Sequence, residues 1–83
     1  MKKKEVDKMK AIQTKYLGPT NFKGSRIKAY DCDNNQITIP YPYDISWEED
    51  KHKKAAMAFM EKMGWTGEIK GGSTKTGYVF VFV

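Results

Sequence analysis

Cysteine and histidine are almost absent from this 83-residue chain, with Cys32 and His52 the only examples of each. A single cysteine closes no disulfide within the chain, so a reducing compartment is its natural setting and a cytoplasmic protein is expected. One cysteine and one histidine are also too few for a zinc site of the usual nitrogen and sulfur kind in a single chain. No apolar run approaches the length of about 18 residues that a membrane-spanning helix needs. Lysines at positions 2, 3 and 4 resemble the start of a signal peptide, but no hydrophobic stretch follows them, so export by that route is not expected. Eighty-three residues allow one domain with a modest core.

Charge is present, but unevenly. The chain carries a net +5, of which +3 falls in residues 1–10, where five lysines outnumber Glu5 and Asp7. Residues 11–83 retain only +2. The sequence therefore divides into a basic tail over 1–10, too poor in apolar residues to be ordered, and a single domain over 11–83. A solvated, solubilising terminus and an arm that holds phosphates are both compatible with that tail.

The domain is punctuated clearly. Residues 11–17, 25–32 and 36–41 alternate apolar with polar side chains, which predicts three strands of an antiparallel meander with one buried face. Between them lie a loop at Gly18–Gly24 and a turn at Asp33-Asn34-Asn35, where Asp and Asn bond their own backbone and tolerate positive φ. Pro40 and Pro42 make the third strand an edge, because proline has no N–H to donate to a ladder. A helix follows, with Ser46 and Glu49 spaced as a capping box and Gly64 as its left-handed stop. Along it His52, Ala55, Ala56, Phe59, Met60 and Met63 form one apolar stripe. A short strand is expected over 67–70, then a flexible loop over 71–77. The final strand over 78–83 is apolar on both faces, which places it inside the sheet and covered, with little tolerance for truncation. The expected fold class is α+β: a small antiparallel sheet, in element order β-β-β-α-β-β, with one helix packed on one face.

Catalytic chemistry has little material to work with. His52 falls on the apolar stripe, where a hydrogen-bonded core histidine is the expected role. Cys32 lies between Asp31 and Asp33, whose charges disfavour a reactive thiolate. Asp31, Asp33 and Asn34 lack the spacing and bidentate glutamate of a calcium loop. The Gly71–Gly77 segment has the residue types of a phosphate-binding loop in the wrong order, and it opens into a strand rather than a helix. The expectation is a binding protein with no enzymatic activity, cofactor or metal.

Two clusters are candidates for binding. The first surrounds the Gly18–Gly24 loop, where Lys15, Asn21, Lys23, Arg26 and Lys28 supply cations and an amide for a phosphate backbone. Tyr16, Phe22 and Tyr30 add aromatic rings for stacking on single strands. Phe22 stands out in a polar loop. It serves either as a contact or as a cover folded over the sheet edge. The second cluster is Tyr41, Tyr43 and Trp47, residue types favoured at protein interfaces, which alternatively roof the end of the core.

The run from Lys15 through Ala29, KYLGPTNFKGSRIKA, together with Lys62-Met63-Gly64-Trp65 and the ending Gly77-Tyr78-Val79-Phe80-Val81-Phe82, resembles a group of small uncharacterised proteins carried by bacteriophages, prophages and plasmids. The resemblance spans most of residues 12–82 and excludes the tail. It implies the cytoplasm of a bacterial host and an accessory gene product, and it brings no activity or functional residues with it. The leading expectation is therefore an accessory or anti-defence protein that docks on a host protein or nucleoprotein. Direct binding of DNA or RNA through the basic face and tail is the alternative. A membrane is not an expected partner, and the sequence does not set the oligomeric state.

Overall fold

Residues 11–83 are described by the computed structural model; the basic tail over 1–10 lies outside the described residues. Alternating segments form strands β1 (Ala11–Leu17), β2 (Arg26–Tyr30) and β3 (Gln36–Pro40). Helix α1 (Glu48–Met63) follows, then β4 (Ile69–Ser73) and β5 (Gly77–Phe82). They make a five-stranded sheet in the order β3-β2-β1-β5-β4, and every neighbouring pair is antiparallel. The fold is α+β, with one helix on one face of the sheet. The first and last strands pair with each other, so β5 lies inside the sheet and β3 forms one edge, as the sequence predicts.

The core lies between one face of the sheet and the apolar stripe of α1. Ile12 and Thr14 of β1, Ile27 and Ala29 of β2 and Phe80 of β5 meet His52, Ala55, Ala56, Phe59 and Met60, all of them buried. Two fully buried alanines bring the helix backbone close to the strands, and Phe59 fills the space beside them. Trp65, just past the helix, packs edge-on against Phe59 at 5.5 Å and Phe82 at 6.0 Å between ring centroids. The single histidine is a core residue, as its place on the stripe predicts. Its Nδ1 lies 2.7 Å from the Thr14 hydroxyl.

Three expectations need correction. The capping box does not form: Trp47 is the N-cap residue in extended conformation, with no side-chain cap bond, and the helix begins at Glu48. Glu48 is fixed at the start of the helix by the Tyr41 hydroxyl, which donates to its carboxylate at 2.6 Å, and by Lys51 at 3.2 Å. This anchoring places Ser46 one residue too early to reach the free amides of the first turn. Glu48, Glu49 and Asp50 instead complement the positive helix N-terminus by charge. The helix does close at Gly64, at φ 72°, where its N–H bonds to Glu61 O and Met60 O.

The second correction concerns the glycine pair. Strand β4 runs Ile69–Ser73 and includes Gly71 and Gly72, which the sequence reading assigned to a loop. The Phe80 ring occupies the space a side chain at position 71 would need, so a glycine there is what lets β4 lie against β5. The hairpin turn contracts to residues 74–76, held by Thr74 N–H to Gly77 O at 2.7 Å and Gly77 N–H to Thr74 Oγ1 at 3.0 Å. The third correction is that the described residues cover β5 on one face only. Phe80 is buried beneath the helix, whereas Val81 on the other face is 43 % exposed.

Candidate binding surface: the open sheet face and its aromatic corner

The pleat that sends Ile12, Thr14, Ile27 and Ala29 towards the helix sends their neighbours to the opposite face, which no other described element covers. The register sets them side by side: Gln13 opposite Tyr30, Lys15 opposite Lys28, Leu17 opposite Arg26, and Lys70 of β4 opposite Val81 of β5. The strand residues of this face thus include four cations, Lys15, Arg26, Lys28 and Lys70, and no carboxylate. Helix α1, by contrast, has four lysines and four carboxylates. A modest net charge for residues 11–83 therefore conceals a segregated one.

Lys15 and Lys28 are direct cross-strand neighbours, an arrangement that destabilises an antiparallel pair. Lys28 Nζ is 5.4 Å from the centre of the Tyr30 ring, a cation–π contact that offsets part of the repulsion. Arg26 Nε donates to Gly24 O at 3.1 Å, which fixes the guanidinium at the end of the sheet nearest the loop.

That loop, residues 18–25, is shaped by Thr20. Its Oγ1 accepts the N–H groups of Phe22 (3.2 Å) and Lys23 (3.0 Å), and its own N–H bonds to Lys23 O at 2.7 Å. This tight turn holds Phe22 outward, 94 % exposed, so Phe22 does not cover the sheet edge. Behind the loop, Tyr16 OH and Ser25 Oγ share a hydrogen bond of 2.8 Å. Tyr16, Tyr41 and Tyr43 form an edge-to-face chain with centroid spacings of 5.5 and 4.9 Å. A cleft of about 680 Å³ opens there, lined by Lys23, Arg26, Thr38, Tyr41 and Tyr43 among others.

Tyr41 is the hinge between cleft and helix. Lys51 Nζ lies 4.6 Å from its ring centre and 3.1 Å from its hydroxyl, and the hydroxyl donates to Glu48. The hydrogen bond to Glu48 raises the Tyr41 pKa, while Lys51 acts against it. The same bond, followed by that of Lys51, lowers the Glu48 carboxyl below its ordinary value. Lys51 is raised, first by its bond to Tyr41. With its hydroxyl engaged, Tyr41 offers the cleft its ring.

The structure thus gathers Lys23, Arg26, Tyr41 and Tyr43 into one cleft and sets Lys15 and Lys28 on the adjoining face. Phe22 and Asn21 are exposed in the loop; Asn21 does not line the cleft. Of the second cluster, Tyr41 packs against the core, whereas Tyr43 (75 %) and Trp47 (74 %) are exposed. Lys70, distant in sequence, was not a candidate and joins the face through the strand order; the short strand expected over 67–70 was the only signal for it. Among the described residues no three His, Cys, Asp or Glu side chains are placed to hold a metal ion, and no helix is long and apolar enough to cross a membrane. Compared with protein-family models, curated proteins and solved structures, the chain matches none.

Proposed function

We propose that this domain is a non-enzymatic nucleic-acid-binding module whose open sheet face receives the phosphate backbone and whose tyrosine cleft receives a base. The observation that carries the reading is the carboxylate-free face on which Lys15 stands directly opposite Lys28. A repulsive pair on a face that no other described element covers costs stability, and a phosphate lying between the two ammonium groups would offset that cost. Arg26 and Lys23 extend the cationic track to the cleft, where Tyr41 and Tyr43 supply stacking surfaces. The resemblance to phage, prophage and plasmid proteins supports an accessory role in a bacterial cytoplasm, with a host nucleoprotein as the natural setting.

The test is fluorescence anisotropy of labelled single-stranded and duplex oligonucleotides against the full chain. Lys15→Glu with Lys28→Glu is expected to weaken binding by at least tenfold. Lys53→Glu with Lys54→Glu, which places the same charge change on the helix, is expected to weaken it far less. Equal losses from both pairs would sink the reading.

A protein partner is the second reading, favoured by the outward display of Phe22, Tyr43 and Trp47, of which Tyr43 lines the cleft. Exposed aromatics of this kind anchor protein interfaces, and an anti-defence inhibitor docking on a host protein would use them. Replacing all three by serine would then abolish capture of that partner and leave oligonucleotide binding intact. Loss of both activities together would return the aromatics to the nucleic-acid site.

A further inference from the structure

The two edges of the sheet are finished differently. At the β3 edge, the bonds Tyr41 N–H to Ser25 O and Asp31 N–H to Asn35 O set the ladder's alternation, so the backbone groups of Gln36, Thr38 and Pro40 point outward. That edge is blunted: Pro40 has no N–H, and Lys62 Nζ donates to Gln36 O at 2.6 Å. At the β4 edge, Val83 N–H to Glu68 O and Thr74 N–H to Gly77 O set the alternation, so the N–H and C=O groups of Ile69, Gly71 and Ser73 point outward. Among the described residues no proline or lysine bond protects them.

The exposed large hydrophobic residues divide in the same way. Tyr16, Phe22, Tyr43 and Trp47 belong to the aromatic corner, whereas Met57, Val81 and Val83 flank β4. Val81 is the cross-strand neighbour of Lys70, and Met57 and Val83 line one groove with Ile69 between the helix and the strand.

We propose that β4 is a homodimer interface, at which two copies pair antiparallel across a two-fold axis at Gly71 to form a continuous ten-stranded sheet. The strand is self-complementary in this register. Gly71 bonds reciprocally with its counterpart, and Ile69 bonds with the partner's Ser73 on either side, so every outward donor meets an acceptor. Lys70 then faces the partner's Gly72, which has no side chain. Moving the axis to Lys70 would set two lysines directly opposite, and moving it to Gly72 would leave Ile69 unpaired. The register is therefore chosen by charge and by hydrogen-bond count together. A two-fold perpendicular to the sheet keeps both helices on one side and brings Met57 of each copy towards the other. It also merges the two cationic faces into one. The inference does not depend on what those faces bind.

Light scattering after size-exclusion chromatography of the full chain tests it, with an expected mass of about twice the 9.6 kDa of one chain. Ser73→Pro removes an outward N–H without touching the internal ladder and is expected to return the mass to one chain. Thr38→Pro makes the same change at the blunted edge and is expected to leave the dimer intact. Register is read by mild oxidation of a Cys32→Ser chain carrying Lys70→Cys and Gly72→Cys. Position 72 has open space for a side chain, and directly opposed non-hydrogen-bonded residues lie about 4.5 Å apart at Cα, within disulfide reach. The double-cysteine chain should become a covalent dimer, and Lys70→Cys alone should not. A chain that stays monomeric, with its edge left to an extended peptide of another protein, overturns the proposal. So does a dimer that ignores Ser73→Pro, or cross-linking that is equal in the single-cysteine control.

Discussion

Thr14→Val separates the contribution of one buried hydrogen bond from that of the packing around it. Thr14 is 1 % exposed and His52 3 %, and their side chains meet at 2.7 Å between the sheet and the helix. The Thr14 hydroxyl also lies 3.4 Å from Tyr78 O, and the Tyr78 ring centre is 4.7 Å from that of His52. Valine keeps the shape of threonine and strands the imidazole nitrogen in a dry site. Leaving a buried polar group unpaired costs about 1–3 kcal/mol. For a domain of this size each kcal/mol lowers the melting temperature by about 4–8 °C, so a fall of roughly 5–20 °C is expected. Adding His52→Phe removes the stranded group as well, and the double variant should recover part of the loss.

The same pair sets a pH response. Burial holds the His52 pKa below the ordinary histidine value of 6.5, with Glu48, whose carboxylate lies 4.0 Å from Nε2, acting in the opposite direction. The unfolded chain therefore binds the extra proton first. Stability is full above about pH 6.5 and declines as the pH falls below it towards the lower folded value. Urea melts followed by circular dichroism between pH 7.5 and 5 should show this decline in the native chain and lack it in the double variant. A Thr14→Val chain as stable as the native one, or a double variant less stable than the single, would refute the reasoning.

Other positions give independent checks by thermal melting. Phe59→Ala empties a fully buried site between helix and sheet and should cost about 3–5 kcal/mol, much of the stability of a small domain. Gly71→Ala pushes a methyl group into the Phe80 ring and should cost about 1–3 kcal/mol; a neutral result would mean that the β4–β5 contact is looser than described. Asp31→Ala removes the carboxylate that accepts the N–H groups of Asp33 and Asn35 and the Asn35 side-chain amide, and a loss of about 2–3 kcal/mol is expected.

Much of the fold was legible because periodicity and packing agreed. The stripe from His52 to Met63 became the buried face of the helix, Gly64 ended it, and Asn34 took positive φ in the turn that Asp31 organises. The capping box misled because it is a local signal, and the link from Tyr41 to Glu48, between residues seven apart, decided where the helix begins. Gly71 and Gly72 read as loop because their place in a strand depends on Phe80, whose position only the sheet order reveals. The candidate surface was half legible. Loop residues such as Lys23 and Arg26 were adjacent in sequence, but the opposition of Lys15 to Lys28 needs register and the inclusion of Lys70 needs topology. Net charge was misleading for the same reason: it sums over faces that the fold keeps apart.

The central claim is that the open sheet face holds phosphates, and the salt dependence of binding counts them. Log Kobs against log salt should be measured by anisotropy on a single-stranded oligonucleotide for the full chain and for Lys15→Gln with Lys28→Gln. Each phosphate contact on a single strand contributes about 0.7 to the slope, so the double variant should have a slope shallower by about 1.4. An unchanged slope, with or without a change in affinity, would place the phosphates elsewhere and contradict the account.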